Sequence, residues 1–563
     1  MLSNSRKESA AFLCVLLGII FTHADAQQVR ASKDSVQRLP SFELPEFVIT
    51  GKEAIDLPQF TKAMPADDLQ AGTISAGIGT KDREPLLAGT QKLTAPAEAA
   101  FSVKSVRLSA GYGSFQSPLL EGLCGKDIGG ANLSAKASYQ AAGDYVPYAG
   151  WRMGQGSIRA QVPISGNGAK TRESEDLLFG ATLIGALEAT GRTYNLFGST
   201  TPDQQRSETR IGGWVGIHSM SSAEWRYRWT GSIESYRLED FTKSREMLFG
   251  IDGDTRKNLG KLEGGAQLTL AFNSLSGSTP QSDPNYFAVG VYIQPDLVND
   301  PENALRKVIR WRTGVTAYIA RHSDGSSVTR FYPHIYLGLM AVPKGTLFAE
   351  FKPELRRASL SALAGESPYI VASPIIRHTD IKTSFALGAR WEPSASFQSQ
   401  ISLSFQRMED QPLFTDSGSR GIWSPLYGGT TEVFLIRGEM SWYPADGTSM
   451  SLSWLIRESH NTTLDNAVPY WPSLLNVGIR HRLLSRLTAA VGVEVVSSWT
   501  HRTVGQTTWL TSFLRLNAEL QYTMSENFRI FLVGNNLLDQ RFEYWKGYRE
   551  PPLNIRAGLT VQW

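Results

Sequence analysis

The sequence predicts an all-β protein, a transmembrane antiparallel β-barrel of the bacterial outer membrane. Three observations lead to this fold class. An export signal stands at the N-terminus, and apolar and polar residues alternate with period two in many later segments. No other stretch of the 563 residues is long and apolar enough to form a membrane-spanning helix. A closed β-barrel is then the remaining way for an exported chain of this kind to cross a membrane.

The composition excludes two other classes of protein. Lys and Arg total 56 and Asp and Glu total 53, which gives a formal net charge of +3. A nucleic-acid-binding protein would show a large basic excess or basic runs, and neither is present. Hydrophobic residues make up 41% of the chain, which is too many for a disordered protein with so small a net charge. We therefore expect a folded protein without a nucleic-acid partner.

Residues 1–26 have the features of a secretory signal peptide. A short positive stretch precedes the apolar residues 10–22, and Ala24 and Ala26 form an A-x-A cleavage site. The apolar stretch is too short to span a membrane as a helix. Cleavage would leave Cys124 as the single cysteine, so no internal disulfide is expected in the exported protein.

Residues 101–563 contain the alternation expected of barrel strands. It is clearest at the C-terminus, where apolar residues alternate with small or polar ones from Leu553 to Trp563. In an outer-membrane barrel the apolar side of such a strand meets lipid and the polar side lines the lumen. The segments number about 18 to 22, an even count being typical of bacterial barrels. The alternation gives no consistent parity between residues 240 and 330.

The connections between these segments are of two kinds. Short turns are predicted at 341–345, 392–395, 443–447, 484–486 and 524–527, and longer polar connections at 409–430, 458–471 and 540–551. A soluble β-sandwich would instead place similar turns every ~8–12 residues. Short turns at one end and long loops at the other favour an outer-membrane barrel.

The C-terminal region resembles that of TonB-dependent outer-membrane receptors. Residues 528–544 read FRIFLVGNNLLDQRFEY, which is similar to the signature that precedes the last strand in that family. The resemblance implies a barrel of about 22 strands. It also implies that Leu559, Val561 and the terminal Trp563 form the signal recognised by the barrel-assembly machinery, although phenylalanine is commoner at the final position.

A second resemblance lies near the N-terminus, at residues 46–51. This stretch is similar to the TonB box, the short extended segment by which such receptors engage TonB. An extended segment of this kind can add a strand to the edge of a partner's sheet. The alternative interpretation is a short β-strand without a special role. The residues that would contact TonB are Glu46, Phe47, Val48, Ile49 and Thr50.

The segment between these two regions departs from the family. Residues 52–100 are too few for a receptor plug, and the plug's Pro-Gly-Val and Ile-Arg-Gly sequences are missing. We therefore expect a periplasmic N-terminal segment at 27–100, a barrel at 101–563 and no full plug. An empty barrel of this width would be a hole in the membrane. Part of the N-terminal segment is expected to occlude it together with inward-folded loops such as 240–260 or 409–430.

The sequence offers few motifs that could support catalysis or bind a metal or a phosphate. The histidines stand at no metal-ligand spacing, and Gly166–Thr171 only loosely resembles a phosphate-binding loop. Asp252 and Asp254 could hold Ca²⁺ on an external loop, but a solvated turn is the better interpretation. We expect no catalytic residues, no metal, no cofactor and no enzymatic activity.

The sequence thus indicates an outer-membrane barrel that transports a solute. Two alternatives remain open: a structural or assembly barrel that scaffolds lipoproteins or a secretion complex, and a passive porin. The expected partners are outer-membrane lipid and the barrel-assembly machinery, with TonB and partner lipoproteins depending on which interpretation holds. The inward-facing charges expected to meet a solute are Arg437, Glu439, Glu494, Arg515, Glu519 and Arg556.

Overall fold

The computed structural model describes residues 106–563 apart from 129, 165–180, 220–224, 278–280, 296–308, 343, 417–420, 464–472 and 504–505. The stretch that resembles a TonB box and the rest of the N-terminal segment lie outside the described residues. Within the described part, no helix combines the length and the apolar character needed to cross a membrane.

A single sheet of antiparallel strands dominates the described residues, and the remaining strands lie in the loops. The wall strands are β1 (Val106–Gly113), β2 (Leu119–Ile128), β3 (Ala131–Ala142), β4 (Trp151–Pro163), β5 (Thr182–Asn195), β6 (Gln205–His218), β7 (Trp225–Glu239), β8 (Lys243–Asn258), β9 (Leu262–Ser276), β10 (Tyr286–Pro295), β11 (Ile309–Arg321), β12 (Ser327–Val342), β13 (Gly345–Phe351), β14 (Glu354–Arg356), β15 (Thr379–Ser394), β16 (Phe397–Glu409), β19 (Thr430–Ala445), β20 (Thr448–Asn461), β21 (Ser473–Leu484), β22 (Leu487–Val496), β25 (Phe513–Thr523), β26 (Phe528–Asn535) and β29 (Asn554–Gln562). The loops contain helix α1 (Leu360–Glu366) and strands β17 (Leu413–Asp416), β18 (Ser424–Leu426), β23 (Trp499–Thr503), β24 (Gln506–Leu510), β27 (Glu543–Trp545) and β28 (Tyr548–Arg549).

The sheet closes on itself. Strand β29 pairs antiparallel with β1, from Arg107 opposite Gln562 to Gly113 opposite Arg556. Strands β13 and β14 both pair with β15 and together act as one interrupted strand. Counted in this way, the described residues form a closed barrel of 22 strands, which confirms the predicted fold class. Closure removes the open edges that a flat sheet of this size would expose.

Side chains alternate between the two faces of the wall as predicted. On β29 and at the residue that follows it, Ile555, Leu559 and Trp563 point outward and are 40–54% exposed, whereas Asn554 and Arg556 point inward and are buried. The other wall strands repeat this pattern, with large apolar side chains exposed on the outer face. Such an outer band is suited to contact with lipid tails.

The structure corrects the interpretation of residues 240–260, which were expected to form an inward-folded loop. Most of this range is strand β8, paired with β7 and β9 along its length. Asp252 and Asp254 therefore lie on the inner wall rather than on an external loop, and Asp254 accepts hydrogen bonds from Tyr292 and Arg256 (2.7 and 2.6 Å). The described residues contain no group of three or more His, Cys, Asp or Glu side chains able to hold a metal ion.

The predicted turn pattern needs one correction as well. The short predicted turns all lie at one end of the barrel, here called the turn end, and the predicted long connections lie at the other, the loop end. Two longer connections, residues 164–181 and 296–308, nevertheless join strands at the turn end. The asymmetry between the ends is therefore clear only in the C-terminal half of the chain.

Candidate functional site: a cap over the loop end of the barrel

Four long connections from the C-terminal half of the chain fold over the loop end. We call their described residues, within 357–378, 410–429, 497–512 and 536–553, the cap. Their apolar side chains form one buried cluster with residues of the barrel wall. The cap contributes Leu360, Leu363, Ala364, Tyr369, Ile370, Ala372, Ile376, Phe414, Trp423, Trp499, Leu510, Phe542, Tyr544, Trp545 and Tyr548, and the wall contributes Trp151, Tyr194, Tyr236, Leu238, Val496 and Phe513.

Backbone hydrogen bonds join separate cap segments into one layer. Strand β17 pairs with β18 and, in parallel, with β23, which links the second cap segment to the third. The first segment reaches the second through Trp423, whose N–H donates to the Tyr369 carbonyl and whose carbonyl accepts from the Val371 N–H, both at 2.8 Å. These bonds satisfy backbone groups that would otherwise be buried without partners.

Close backbone approaches hold the layer together at one point. Gly421 and Gly547 have φ angles of +69° and +87°, a region that L-residues with a side chain rarely adopt. A Cβ atom on Gly198 would lie 2.7 Å from the carbonyl carbon of Gly547. The Tyr548 hydroxyl also donates to the Gly421 carbonyl at 2.7 Å. The cap thus meets the connection that follows β5 too closely for any side chain to fit between them.

A carboxylate on the barrel wall fixes helix α1 of the cap. Glu246 points inward from β8, and its two carboxylate oxygens accept hydrogen bonds from the backbone N–H groups of Leu360 (2.8 Å) and Ser361 (3.0 Å). The side chain of Asn273 donates a third bond to the same carboxylate at 2.6 Å. The first N–H groups of a helix have no partner within the helix, and the helix dipole favours a negative charge there. Glu246 therefore docks α1 against the wall.

A second wall contact fixes the chain just after α1. The Pro368 carbonyl accepts hydrogen bonds from the Tyr194 hydroxyl at 2.6 Å and from the Arg206 guanidinium at 2.7 Å. Arg206 is fully buried and forms an ion pair with Asp240, while the Tyr194 hydroxyl, which has one proton to share, also lies within hydrogen-bonding distance of the Glu208 carboxylate. The donors come from β5 and β6, on the same side of the barrel as Glu246. Specific polar contacts thus hold the cap in place at the loop end.

Comparison with known proteins shows which solved structures share this fold. No protein-family profile and no curated protein matches the sequence. Among solved structures, the FrpB iron transporter of Neisseria meningitidis (F3-3 variant) aligns with a TM-score of 0.62 at 10% identity, over 86% of this chain and 83% of that one. The siderophore receptor PiuA of Acinetobacter baumannii aligns with a TM-score of 0.58 at 10% identity, over 81% of each chain. The ferric-catecholate import receptor Fiu of E. coli K12 aligns with a TM-score of 0.56 at 8% identity, over 82% of each chain.

The fold is that of TonB-dependent receptor barrels. Barrels of this kind reside in the bacterial outer membrane, in agreement with the apolar outer band. The structural neighbours named here are transporters and receptors rather than enzymes. At such low identity the likeness concerns the fold, and a substrate does not follow from it.

Two of the residues predicted to line the lumen hold the cap of this receptor-like barrel. Glu494 and Arg515 stand opposite each other on β22 and β25 and form an ion pair. The Tyr544 hydroxyl, in the cap hairpin β27–β28, donates to Glu494 at 2.8 Å. The inward direction of both charges agrees with the sequence pattern, but their contacts with the cap were not foreseen.

The other predicted lumen residues are spread around the wall. Arg437 and Glu439 lie on the inner face of β19, and Glu519 lies on β25 with a guanidinium nitrogen of Arg480 4.0 Å from its carboxylate. Arg556 on β29 is buried and donates to the Ser117 carbonyl at 3.3 Å. The six residues therefore share the inner face without forming one site, and their contact with a solute stays a prediction.

The residues that clasp α1 were missed by the sequence analysis. Glu246 lies in the range where strand parity was lost, and Tyr194 and Arg206 gave no signal as a motif. The alternation from Glu246 to Ile251, with Leu248 inward and Phe249 outward, could have identified β8 as a strand. The partners on α1 could not have been found, because more than a hundred residues separate them from Glu246.

Two buried histidines connect the first cap segment to the end of β11. The Ala358 N–H donates to Nδ1 of His378, and the His378 N–H donates to Nδ1 of His322, both at 3.0 Å. Their rings lie 5.5 Å apart between centroids, and both are at most 5% exposed. Burial, followed by the neighbouring His322, lowers the pKa of His378 to about 4. Burial likewise lowers the pKa of His322.

This pair predicts that the cap loosens in mild acid. The depressed pKa of His378 stabilises the docked cap above the ordinary value of 6.5, and that stabilisation is lost as the pH falls towards 4. A depression of this size corresponds to about 3 kcal/mol. Asp324 does not account for a loss of stability between pH 6.5 and 4. Burial would raise its pKa, but hydrogen bonds from Ser326 and Arg377 outweigh burial and hold the pKa at about 2, below this range.

Hydrogen exchange of residues 357–378 between pH 7 and 4.5 measures this effect. The exchange rate of the backbone N–H groups, corrected for its intrinsic pH dependence, should rise in the wild type as the pH falls. It should rise much less in His378→Asn, because the asparagine side chain cannot gain a charge. Identical pH profiles for the two proteins would contradict the prediction.

Proposed function

We propose that this protein transports a solute across the outer membrane through its barrel, and that the cap gates the passage. The observation that carries the proposal is the way in which the cap is held. Its apolar layer is continuous and packs against the wall, and a few polar contacts through Glu246, Tyr194 and Arg206 fix its position there. Contacts of this kind can be exchanged for others without unfolding the barrel.

The same observation supports a gated route over an open porin and over an enzyme. A passive pore needs a permanently clear lumen, whereas the described cap residues pack across the loop end here. The described residues that clasp the cap form hydrogen bonds with backbone groups rather than a nucleophile with its general base. The inward charges of the wall, including Arg437, Glu439 and Glu519, would contact a polar solute on its way through the barrel.

Energy for opening such a gate would come from TonB through Glu46–Thr50. We expect Val48→Pro and Ile49→Pro each to abolish capture by the periplasmic domain of TonB, because proline removes a backbone N–H that strand addition requires. The measurement is a pull-down from detergent extracts, with barrel integrity followed by heat modifiability. Gln37→Pro and Ala54→Pro, which flank the stretch, serve as matched controls and should bind like the wild type.

Capture of the wild type and both proline variants alike, or of none of them, would remove the energised-transport proposal. In the second case a scaffold for lipoproteins would become the better interpretation, and those partners would be sought by crosslinking in intact cells.

A further inference from the structure

The outer surface of the barrel carries an unusual row of side chains near the loop end. Thr209, Arg237, Arg245 and Ser276 are direct cross-strand neighbours on β6, β7, β8 and β9. All four are exposed, and the residues next to them in sequence point into the barrel. With strands about 4.8 Å apart, the row is about 14 Å wide. It presents a hydroxyl, two guanidinium groups and a second hydroxyl in line.

Two like charges directly opposite each other in a sheet are unfavourable. Arg237 is partly compensated, because its Nε donates to Glu239 at 2.7 Å. Glu239 is shared with Lys243, whose ammonium lies 3.8 Å away. The hydrogen bond found for the Arg245 guanidinium goes to the sulfur of Met247, at 3.5 Å. This patch of the outer surface thus carries three cations and one carboxylate, which contacts Arg237 and Lys243, and the excess positive charge favours binding of an external anion.

The position of the row on the outer surface of the barrel indicates which kind of molecule carries that anion. Four residues closer to the turn end, about 13 Å away along the strands, the same three strands present Ile233, Phe249 and Phe272. These apolar side chains are 46–56% exposed on the outer face and belong to the band that contacts lipid tails. The donor row therefore lies beyond this band on the loop-end side, at the level of the headgroups of the outer leaflet. Guanidinium groups are well suited to bidentate hydrogen bonds with phosphate oxygens.

We propose that the row Thr209–Arg237–Arg245–Ser276 binds the phosphate groups of a lipid headgroup in the outer leaflet. The lipid's acyl chains lie along Ile233, Phe249 and Phe272, and the two guanidinium groups hold its phosphates. The proposal rests on the outer-membrane orientation of the barrel, with the loop end outside, and not on transport.

The test is a lipid titration of the full-length protein in detergent, read by native mass spectrometry. The probes are lipid A with two phosphates and lipid A from which both phosphates have been removed. The wild type should bind the phosphorylated form at least about tenfold more tightly. Arg237→Gln combined with Arg245→Gln should lose this preference. Arg245→Gln alone, which leaves the pair of Arg237 and Glu239 intact, provides a milder variant if the double variant folds poorly.

The control removes the same charge from another part of the outer surface. Lys382 and Arg407 also point outward near the loop end, but each faces a carboxylate, Glu409 and Glu432 respectively. The double variant Lys382→Gln and Arg407→Gln should therefore bind like the wild type. Equal binding of both lipids by the wild type, or an unchanged preference in the Arg245 variants, would overturn the proposal. Displacement of lipid A by 10 mM inorganic phosphate would show a site for free anions and overturn its assignment to a lipid.

Discussion

Deletion of residues 553–563 will abolish assembly of the barrel and leave the protein in the periplasm, where it is degraded. Strand β29 pairs with β26 on one side and with β1 on the other, so its loss opens two edges at once. Unpaired backbone groups cannot be satisfied within a bilayer. The measurement is heat modifiability of the protein in outer-membrane fractions, and we expect a complete loss of the folded band.

Two further variants separate the closure of the barrel from other effects. Deletion of residues 30–40, of the same length but in the N-terminal segment, should leave assembly intact. Trp563→Ala keeps every backbone pair of β29 and should reduce assembly without abolishing it, by weakening the signal at Leu559, Val561 and Trp563. A folded, heat-modifiable band from the 553–563 deletion would refute the closure seen between β29 and β1.

The second large effect concerns current through the barrel. Glu246→Ala combined with Tyr194→Phe removes hydrogen bonds that hold α1 and the Pro368 carbonyl. Bonds to a charged group such as the Glu246 carboxylate contribute about 1.5–3 kcal/mol each, and a neutral bond such as that of Tyr194 contributes about 0.5–1.5 kcal/mol. The ratio of open to closed cap should then rise by at least about tenfold. Planar-bilayer recordings should show a nearly silent wild type and frequent openings in this variant. Deletion of residues 52–96 should raise the conductance further if the N-terminal segment contributes to occlusion.

A charge on the wall that does not touch the cap provides the control. Glu263 pairs with Arg226 and Gln294 on the inner face, and Glu263→Gln should leave the protein as silent as the wild type. Large steady currents from the wild type would make the protein a porin and refute both the transport and the scaffold interpretations. A silent cap variant would instead show that the cap is not the barrier to ions.

Period-two alternation identified the barrel because lipid contact imposes it directly on the sequence. The outward stripe from Leu553 to Trp563 and the inward direction of Arg437, Glu494, Arg515 and Arg556 follow from strand geometry alone. Strand β8 was missed because its inner face is unusually polar, and a run with several carboxylates resembles a loop when the parity is uncertain.

The contacts within the cap could not be predicted from the sequence, for a different reason. Residues 409–430 were expected to fold inward, and Phe414 and Trp423 are indeed buried at the loop end. Its partners, however, lie far away in the chain, as in the pairing of β17 with β23 and the bridge between Ile370 and Trp423. Such contacts depend on the closed barrel bringing the loops together, and no local pattern encodes them.

One side of the cap is joined covalently to the barrel wall, and the other side is held by non-covalent contacts. Each of its four segments is joined at both ends to strands of the C-terminal half of the wall, from β14 to β29. Strands β5, β6 and β8 hold it only by non-covalent contacts, which are the hydrogen bonds of Tyr194, Arg206 and Glu246 and the apolar packing of Tyr194. In the proposed gating movement, the covalently joined side would stay and the side held by non-covalent contacts would part. The gate would then open along β5–β8, and a solute arriving at the loop end would first meet the carboxylate of Glu246 and the guanidinium group of Arg206.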